Sequence, residues 1–459
     1  MQDLLLGFYG DDFTGSTDAM DALARNGIET VLFLSPPDKS DLNRLDEVQV
    51  VGIAGRSRSM NPTEMEDELG SAFNALSLMG APLLHYKICS TFDSSPNIGS
   101  IGKAIDLGAK AFDTSTVPLL PGAPPLGRYV LFGNMFAEYN GDIYRLDRHP
   151  TMSDHPVTPM DESDLLRHLS KQTDREMDLI DVSQLRDAPI EAYREKQDEA
   201  DITFFDALDR SDLTRAGKAI WKEHSEDMAA TPEFIVGSSG VEYALASHWE
   251  TEDFVSETSD FTELEPVYQT VVMSGSASLV TDIQISAAAD HGFRKVRLET
   301  ERLVDPDERD AERERVVADA GQSLDHGESV VIYTARGPDD QRIERTTAIA
   351  EEMCVQPGDV GRRIGTVQGE ILSKLVVDHD LSRVCIAGGD TCGHATPMLG
   401  ITAVRTRYPL APGSPVCDAL NCDLVDDNLQ VALKGGQLGG SDYFVKILEG
   451  SKYCDDQSS

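Results

Sequence analysis

Short apolar runs alternate with longer helix-like stretches along most of the chain. The first run, residues 4–9, predicts a buried strand, and residues 17–26 predict a helix that Gly27 closes. After about residue 250 the alternation starts again with a strand predicted over 268–275. Strands that alternate with helices form parallel sheets with helices on their faces. The pattern therefore predicts an α/β protein of two domains, each a mainly parallel sheet with flanking helices.

Two stretches interrupt this alternation. Residues 118–160 are rich in Pro, Gly, His and Asp, and long irregular stretches inside compact domains are usually functional. We expect this one to form either a functional loop or the contact between two chains of a homodimer. Residues 251–266 are acidic, polar and aperiodic, as interdomain linkers often are. The sequence therefore predicts domains over 1–250 and 267–450 and a disordered tail over 451–459.

The composition is strongly acidic. Asp and Glu number 80 against 40 Lys and Arg, which gives a formal net charge of −40, and only 13 of the basic residues are Lys. Such a surface repels phosphates, which argues against nucleic acids and anionic membranes as partners. A large acid excess with little Lys is typical of halophilic proteins, adapted to concentrated salt. An ordinary acidic protein of the cytosol is the alternative.

Nothing in the chain predicts a membrane span or a structural metal centre. No apolar run approaches the roughly 18 residues that cross a bilayer, and no basic segment precedes the short apolar patch near the start. The seven cysteines are scattered without CxxC spacing, which argues against a disulfide framework and against a zinc site. We therefore expect a soluble, cytoplasmic protein.

Charged residues follow three predicted strands in the first half of the chain. Asp11 and Asp12 follow the first strand, Arg56 and Arg58 lie beyond another, and Lys87 ends a third. Ligands of open α/β sheets bind at the carboxyl ends of the strands. There a carboxylate can accept a proton from a substrate hydroxyl, and Arg or Lys can hold a substrate carboxylate. The alternatives are that an aspartate only caps the next helix and that the cations are ordinary surface charges.

Three loops of small residues follow strands in the second half of the chain, at 274–278, 388–393 and 434–440. Backbone amides in such loops can approach phosphate oxygens closely, although a single glycine-rich turn is weak evidence. The sequence contains neither the GxxxxGK[ST] motif of P-loop proteins nor the GxGxxG motif of dinucleotide-binding folds. The three loops together predict a phosphate-binding site of another type.

Several of these motifs occur together in an order that resembles a known family. GDDFTGSTDAM, SRSMNP, HYKICSTFDSS and HPVTPMDESDL are followed by VGSSGVEYALA, SGSAS, AGGDTCGHA and LKGGQLGGSDYF. This series, over about residues 3–447, is similar to the four-carbon acid sugar kinase family. The resemblance implies an N-terminal domain that binds a small sugar acid and a C-terminal domain that binds ATP. It also implies Mg²⁺-dependent phosphoryl transfer to a substrate hydroxyl in the cleft between them.

The resemblance carries site residues over to this chain. It makes Asp12 the candidate catalytic base. It implies that the sugar acid is bound by Asp11, Arg58, Lys87, Ser90 and Thr91. It implies that ATP is bound by Ser274, Ser276, Ser278, Gly388, Gly389, Asp390, Thr391, Gly435 and Gly436. The ligands of the metal ion stay unassigned.

The chain also departs from the family pattern. Cys89 and Asp93 stand where many members have Asp and Arg, and Cys392 stands where Ser is common. The change to Asp93 removes one cation from the implied substrate pocket. The substrate is therefore expected to be 3-oxo-tetronate, threonate, erythronate or a branched acid such as 3-oxo-isoapionate. The second hypothesis is a non-catalytic sensor of sugar acids or nucleotides on the same fold.

Overall fold

The computed structural model describes residues 4–45, 47–139, 141–155, 157–226, 232–252, 254–255, 261, 263–420, 422 and 429–451. The chain divides into two compact units, unit 1 from Met1 to Ser259 and unit 2 from Asp260 to Ser459. Residues 253, 256–260 and 262 of the predicted linker, and 452–459 of the predicted tail, lie outside the described residues. The exact domain limits and the disordered tail therefore stay predictions.

The strands of unit 1 form two sheets within the described residues. They are β1 (Leu6–Gly10), β2 (Thr30–Phe33), β3 (Val50–Ala54), β4 (Leu83–Lys87), β5 (Val117–Leu120), β6 (Arg128–Leu131), β7 (Asn134–Tyr139), β8 (Asp142–Arg145), β9 (Met177–Ile180), β10 (Ile202–Phe205) and β11 (Glu233–Gly237). The larger sheet has the order β2-β3-β1-β4-β11-β5-β10-β9, and every neighbouring pair in it is parallel. Strands β6, β7 and β8 form a separate antiparallel sheet.

The helices of unit 1 connect these strands. They are α1 (Phe13–Arg25), α2 (Lys39–Leu42), α3 (Pro62–Met79), α4 (Ile101–Phe112), α5 (Leu165–Leu169), α6 (Val182–Asp187), α7 (Pro189–Gln197), α8 (Arg210–Glu226) and α9 (Gly240–Thr251). Local caps set several of their starts. In α3, Asn61 caps the helix, Glu64 completes a capping box and Pro62 occupies the first turn.

The strands of unit 2 form one mixed sheet within the described residues. They are β12 (Val271–Ser274), β13 (Arg294–Arg297), β14 (Val330–Tyr333), β15 (Arg383–Ala387), β16 (Ala403–Ala411), β17 (Ser414–Leu420) and β18 (Gln430–Lys434). The order is β13-β14-β12-β15-β18-β17-β16, in which the first five strands are parallel and β17 and β16 are antiparallel to their neighbours. Its helices are α10 (Leu279–Asp290), α11 (Thr300–Val304), α12 (Pro306–Asp325), α13 (Gln341–Glu352), α14 (Pro357–His379), α15 (Gly389–Ala395) and α16 (Tyr443–Glu449).

The predicted α/β class with two domains is confirmed, but parts of the predicted pattern are wrong. The stretch 118–160 is not irregular throughout, because it contains the end of β5 and the whole antiparallel sheet over 128–145. The helix predicted over 17–26 begins at Phe13 because Asp12 caps it there. No helix in the described part of the chain is long and apolar enough to cross a membrane.

The core of each unit lies against the central strands of its sheet. Strands β1, β4 and β12 are buried along their whole length, as expected where helices cover both faces of a parallel sheet. In unit 1, Phe73 packs against Tyr86, Phe112 and Phe234 with ring centroids 5.2 to 6.3 Å apart. This aromatic cluster holds α3 and α4 against β4 and β11.

Candidate active site

The charged residues predicted in unit 1 meet where the strand order reverses. Strand β1 has β3 on one side and β4 on the other, so the loops that follow β3 and β4 flank its carboxyl end. The Asp11 amide donates to the Lys87 carbonyl at 2.9 Å, and the Arg58 amide donates to the Asp11 carbonyl at 3.0 Å. Such a switch point is the usual ligand site of an open α/β sheet. The fold thus brings together the loops that follow β1, β3 and β4.

Asp12 caps helix α1 and also faces the shared site. Its carboxylate accepts hydrogen bonds from the Gly15 amide at 2.7 Å, the Thr14 hydroxyl at 3.2 Å and the Arg58 guanidinium at 3.1 Å. The Asp12 side chain is 28% exposed. The capping alternative is therefore correct, and it does not exclude the catalytic one, because the partly exposed carboxylate stays within reach of a ligand.

Asp11 lies beneath Asp12 and is buried. One carboxylate oxygen accepts from the Cys89 amide at 3.2 Å, and the other has no hydrogen-bond partner among the described residues. Burial, together with the charge of Asp12, raises the pKa of Asp11 to about 7, although Arg58 and Lys87 act in the opposite direction. Asp11 is thus a buried carboxyl group that titrates near neutral pH.

Lys87 is the buried cation of this site, with 2% of its surface exposed. Burial by itself would lower its pKa, but the carboxylates of Asp18, Asp12 and Asp11 more than compensate and raise it. Lys87 is therefore charged at neutral pH, and its charge is already balanced by carboxylates of this chain.

The loop after β4 supplies the counter-ion of Arg58. Buried Asp93 accepts from Arg58 Nε at 3.1 Å and Nη2 at 2.5 Å, and from the Thr91 hydroxyl at 2.6 Å. Burial would raise the pKa of Asp93, but Arg58 and Thr91 lower it overall. The residue before it, Phe92, has a φ of 57°, an uncommon backbone conformation outside glycine. Ser90 lies half-buried in the turn before Thr91.

The predicted ATP loops of unit 2 also meet at a switch point. Strand β12 lies between β14 and β15, and β18 follows β15 in the sheet. The Gly275 amide donates to the Ala387 carbonyl at 2.9 Å, and the Gly388 amide donates to the Lys434 carbonyl at 2.8 Å. The three small-residue loops, which are more than 40 residues apart in sequence, therefore leave the same edge of the sheet next to one another.

Two glycines are required where these loops touch. Gly388 has a φ of 125°, which L-residues with a side chain rarely adopt. A Cβ on Gly275 would overlap the hydroxyl of Thr391. Asp390 follows on the exposed side of the loop, at the start of α15, and Gly389 is half-buried beside it. Gly275 and Gly388 thus let the first and second loops approach each other closely.

Hydroxyl groups tie the first and third loops together. Ser278 caps helix α10 by accepting from the Thr281 amide at 3.0 Å, and its own hydroxyl donates to the Gly436 carbonyl. The Thr281 hydroxyl lies 3.0 Å from the Ser276 hydroxyl and 2.9 Å from the Gly436 carbonyl oxygen. Thr281 belongs to this network although the motif comparison did not assign it.

Lys434 is a second residue that the motif comparison did not assign. It is fully buried at the end of β18, and its ammonium group donates to the Gly435 carbonyl at 2.8 Å and the Gly436 carbonyl at 3.2 Å. Burial lowers its pKa to about 8, and the nearby Cys385 and Cys392 offset only part of that shift. Its charge therefore lies directly under the third loop.

Two buried polar side chains near these loops lack partners. Gln368 on α14 and Ser274 at the end of β12 are 1% and 0% exposed, and neither Gln368 Nε2 nor Ser274 Oγ has a hydrogen-bond partner among the described residues. A Cβ on Gly275 would point towards both the Thr391 hydroxyl and Gln368 Nε2, so the two side chains lie on the same side of that glycine. Ser274 was predicted from its motif, whereas no local pattern distinguished Gln368 from other polar helix residues.

The cysteines that depart from the family pattern are packing residues. Burial raises the pKa of both the Cys89 thiol and the Cys392 thiol to about 12. Thiolates are the reactive form of cysteine, so neither group is activated at neutral pH. The described residues contain no cluster of three or more His, Cys, Asp or Glu side chains that could hold a metal ion by themselves.

Comparisons with known proteins match the two units separately. A family model described as a sugar-binding N-terminal domain matches residues 6–245, and one described as a nucleotide-binding C-terminal domain matches residues 271–444. A 3-oxo-isoapionate kinase of Paraburkholderia graminis is 44% identical over 450 residues, which are 97% of this chain and 94% of the relative. A 3-oxo-tetronate kinase of Cupriavidus necator is 29% identical over 453 residues, which are 97% of this chain and 96% of that relative.

A solved structure has the same fold. It is a Salmonella typhimurium LT2 protein, provisionally described as a tRNA synthase, with a TM-score of 0.77 and 26% identity over 96% of this chain and 98% of that chain. The two family models, the similarity to kinases over nearly the whole chain and the common fold all indicate one family. The chain belongs to the four-carbon acid sugar kinase family.

Proposed function

We propose that this protein is an ATP-dependent kinase that phosphorylates a hydroxyl group of a small sugar acid, and that its substrate is 3-oxo-isoapionate or a close tetronate relative. The observation that carries the proposal is which side chains and loops the fold gathers at the two switch points. One holds a partly exposed carboxylate with cations, and the other holds three adjoining small-residue loops suited to phosphates. The 44% identity to a 3-oxo-isoapionate kinase favours the branched acid.

In this proposal the substrate hydroxyl oxygen attacks the γ-phosphorus of ATP, the bond to the β-phosphate oxygen breaks, and ADP leaves. Asp12 accepts the hydroxyl proton. The three donors on its carboxylate fix the orientation of Asp12, which suits phosphoryl transfer because its loose transition state needs positioning more than deprotonation. Asp11 is buried and instead orders the loop after β4 through the Cys89 amide.

The residues of unit 2 would hold ATP by its phosphates. The backbone amides at Ser276, Gly389 and Gly436 would donate to phosphate oxygens, and Lys434 would order the third loop from below. The Gly388 amide already donates to the Lys434 carbonyl, so Gly388 would contribute close backbone approach rather than a donor. Mg²⁺ in proteins usually takes one or two carboxylates together with substrate phosphates, and exposed Asp390 fits that role. The ion would neutralise charge that develops on the phosphate oxygens.

We also propose that the protein is cytoplasmic, forms a homodimer and is adapted to concentrated salt. These three proposals rest on the composition and pattern of the sequence. Light scattering after size-exclusion chromatography tests the dimer directly. A single mass near 50.0 kDa in solution would overturn it.

The first test is ADP release with a panel of sugar acids in the presence of ATP and Mg²⁺. The panel contains 3-oxo-isoapionate, 3-oxo-tetronate, D- and L-threonate and erythronate, each at low and at molar KCl. Turnover with one acid establishes the kinase. ATP binding without turnover of any acid would instead favour the non-catalytic sensor.

The second arm of this test is Asp12→Asn. We expect kcat to fall by about 10²- to 10⁴-fold with ATP binding retained, because the substrate hydroxyl loses the carboxylate that positions it and accepts its proton. Asp38→Asn is the matched control, since Asp38 also caps a helix of unit 1 and lies at an exposed position after β2, a strand that does not border β1. If Asp11→Asn removed turnover and Asp12→Asn did not, the base would be Asp11.

A further inference from the structure

Arg128 lies on the same edge of the unit 1 sheet as the candidate active site. Strand β5 runs parallel to β11, and β11 runs parallel to β4, so the chain leaves β5 at the edge where Lys87 lies. The Ser238 amide, just after β11, donates to the Leu120 carbonyl at the end of β5 at 3.1 Å. Eight residues further on, Arg128 starts β6, and its backbone pairs with Ala123.

One edge of the Arg128 guanidinium is anchored and the other is free. Nη1 donates to the carbonyl oxygens of Leu126 at 3.0 Å and Gly127 at 3.2 Å, with the Glu138 carbonyl at 3.4 Å. Neither Nε nor Nη2 has a hydrogen-bond partner among the described residues, and Nε is buried. The Nε and Nη2 hydrogens point the same way, and carboxylates bind to such a pair in bidentate fashion.

The charge of Arg128 is poorly compensated by the protein. No carboxylate within the described residues lies within ion-pair distance of it. Burial lowers its pKa, and the Glu138 carboxylate offsets only part of that shift. An ionised Cys89 thiol would raise the pKa of both Arg58 and Arg128. Both guanidinium groups therefore lie within electrostatic range of the loop after β4, which the family resemblance connects with the substrate.

Arg58 and Lys87 already have counter-ions from this chain. Arg58 donates to Asp93 through Nε and Nη2 and to Asp12 through Nη1, so each of its three nitrogens is engaged. Lys87 is balanced by Asp11, Asp12 and Asp18. A substrate carboxylate that approached these cations would also meet the neighbouring aspartates. A cation without such a counter-ion is therefore the better partner for the carboxylate of a sugar acid.

We propose that Arg128 is the residue that binds the carboxylate of the sugar acid, through its free Nε and Nη2 edge. This inference rests on the proposed function for the identity of the ligand. Arg58, with its charge balanced by Asp93 and Asp12, instead orients the Asp12 carboxylate. The chain thereby separates the two ends of the substrate, with the carboxylate at Arg128 and the reacting hydroxyl at Asp12.

The test compares an acid with its carboxylate-free counterpart. Binding of 3-oxo-isoapionate, of erythronate and of the polyol erythritol to the full chain is measured by calorimetry, and kcat and KM are measured with the acid. We expect Arg128→Gln to weaken acid binding by about 10- to 100-fold, because a charge-assisted bidentate contact is lost. Erythritol binding and the KM for ATP should change less than twofold. Arg128→Lys keeps a charge without the fork and should weaken acid binding less.

Arg167→Gln is the matched control, because Arg167 is an exposed arginine of unit 1 with 76% of its side chain accessible. Tryptophan fluorescence and circular dichroism check that each variant is folded. Acid binding by Arg128→Gln as tight as that of the unchanged protein would overturn the assignment, as would loss of acid binding in Arg58→Gln alone. If the unchanged protein bound none of the acids, the proposed function itself would fail together with this inference.

Discussion

Two buried lysines show how neighbouring side chains set the chemistry of a residue. Lys87 and Lys434 both end a strand and are both almost completely buried. Carboxylates surround Lys87 and raise its pKa, whereas two thiols are the nearest titratable groups of Lys434 and its pKa falls to about 8. Thr281 from α10 and Phe444 from α16 complete the surroundings of Lys434 without adding a charge. Lys434 therefore titrates in an accessible range of pH.

This difference predicts a pH dependence of ATP binding. Below about pH 8 the ammonium group of Lys434 is protonated and holds the Gly435 and Gly436 carbonyls. As the pH rises through 8 the group loses its charge and one donor, so we expect the KM for ATP to rise. In Lys434→Met the KM should be raised at every pH from 6.5 to 9.5, without this step.

Lys446→Met is the control for this measurement. Lys446 lies on α16 with 43% of its side chain exposed, and it pairs with Asp442, which lies outside the three loops. Its variant should reproduce the pH profile of the unchanged protein. A step near pH 8 that persisted in Lys434→Met would assign the titration to another group.

At the scale of elements, a buried polar pair connects strand β4 to helix α9. His85 Nδ1 lies 2.8 Å from Glu242 Oε1, both side chains are fully buried, and His85 Nε2 lies 3.1 Å from the Gly237 carbonyl oxygen. The pair fixes the strand that carries Lys87 against the helix that follows β11. Buried polar partners contribute most visibly when one of them is removed, because the other stays buried without a hydrogen bond.

We therefore expect Glu242→Ala to lower the free energy of unfolding of unit 1 by about 2–4 kcal/mol. The two tryptophans of the chain, Trp221 and Trp249, are both in unit 1 with ring centroids 5.4 Å apart. Urea unfolding followed by their fluorescence reports on this unit alone. Glu250→Ala, at an exposed position of the same helix, is the control, and an equal effect of both variants would contradict the role of the pair.

At the scale of the whole molecule, the net charge of −40 is the dominant feature. Many acidic side chains are engaged in local pairs, such as Asp340 with Arg342 and Asp378 with Lys374. With twice as many acids as bases, the remainder repel one another across the surface. The Debye length falls from about 10 Å at 0.1 M salt to about 3 Å at 1 M, which screens that repulsion.

Salt should therefore stabilise the protein. We expect the midpoint of thermal unfolding to rise by at least about 4 °C between 0.1 and 2 M KCl, which corresponds to roughly 1–2 kcal/mol for units of this size. Differential scanning calorimetry measures the shift, and sorbitol at equal osmolality separates screening from exclusion of the solute. No shift with KCl beyond that with sorbitol would argue against adaptation to salt.

The amino-acid sequence by itself determined the α/β class, most strand and helix positions, the two sets of strand-end motifs and the family. These features are local, because periodicity, caps and contiguous motifs depend on neighbours in the chain. The antiparallel sheet over 128–145 escaped prediction because its short strands lie in a stretch rich in turn-forming residues. Helix α1 begins four residues before its predicted start because Asp12 caps it, and the sequence leaves that capping role as one of two alternatives.

Only the tertiary structure decided how the charges are paired. From the sequence, Asp93 in place of Arg indicates the loss of a cation. Asp93 lies 35 residues from Arg58 in sequence, and folding brings its carboxylate into contact with that guanidinium. Lys434 and Thr281, 153 residues apart, meet in the same way under the third loop. Whether a charge is exposed, paired or buried alone depends on the packing of distant segments, and no local pattern encodes that. The free edge of Arg128 is a property of this kind.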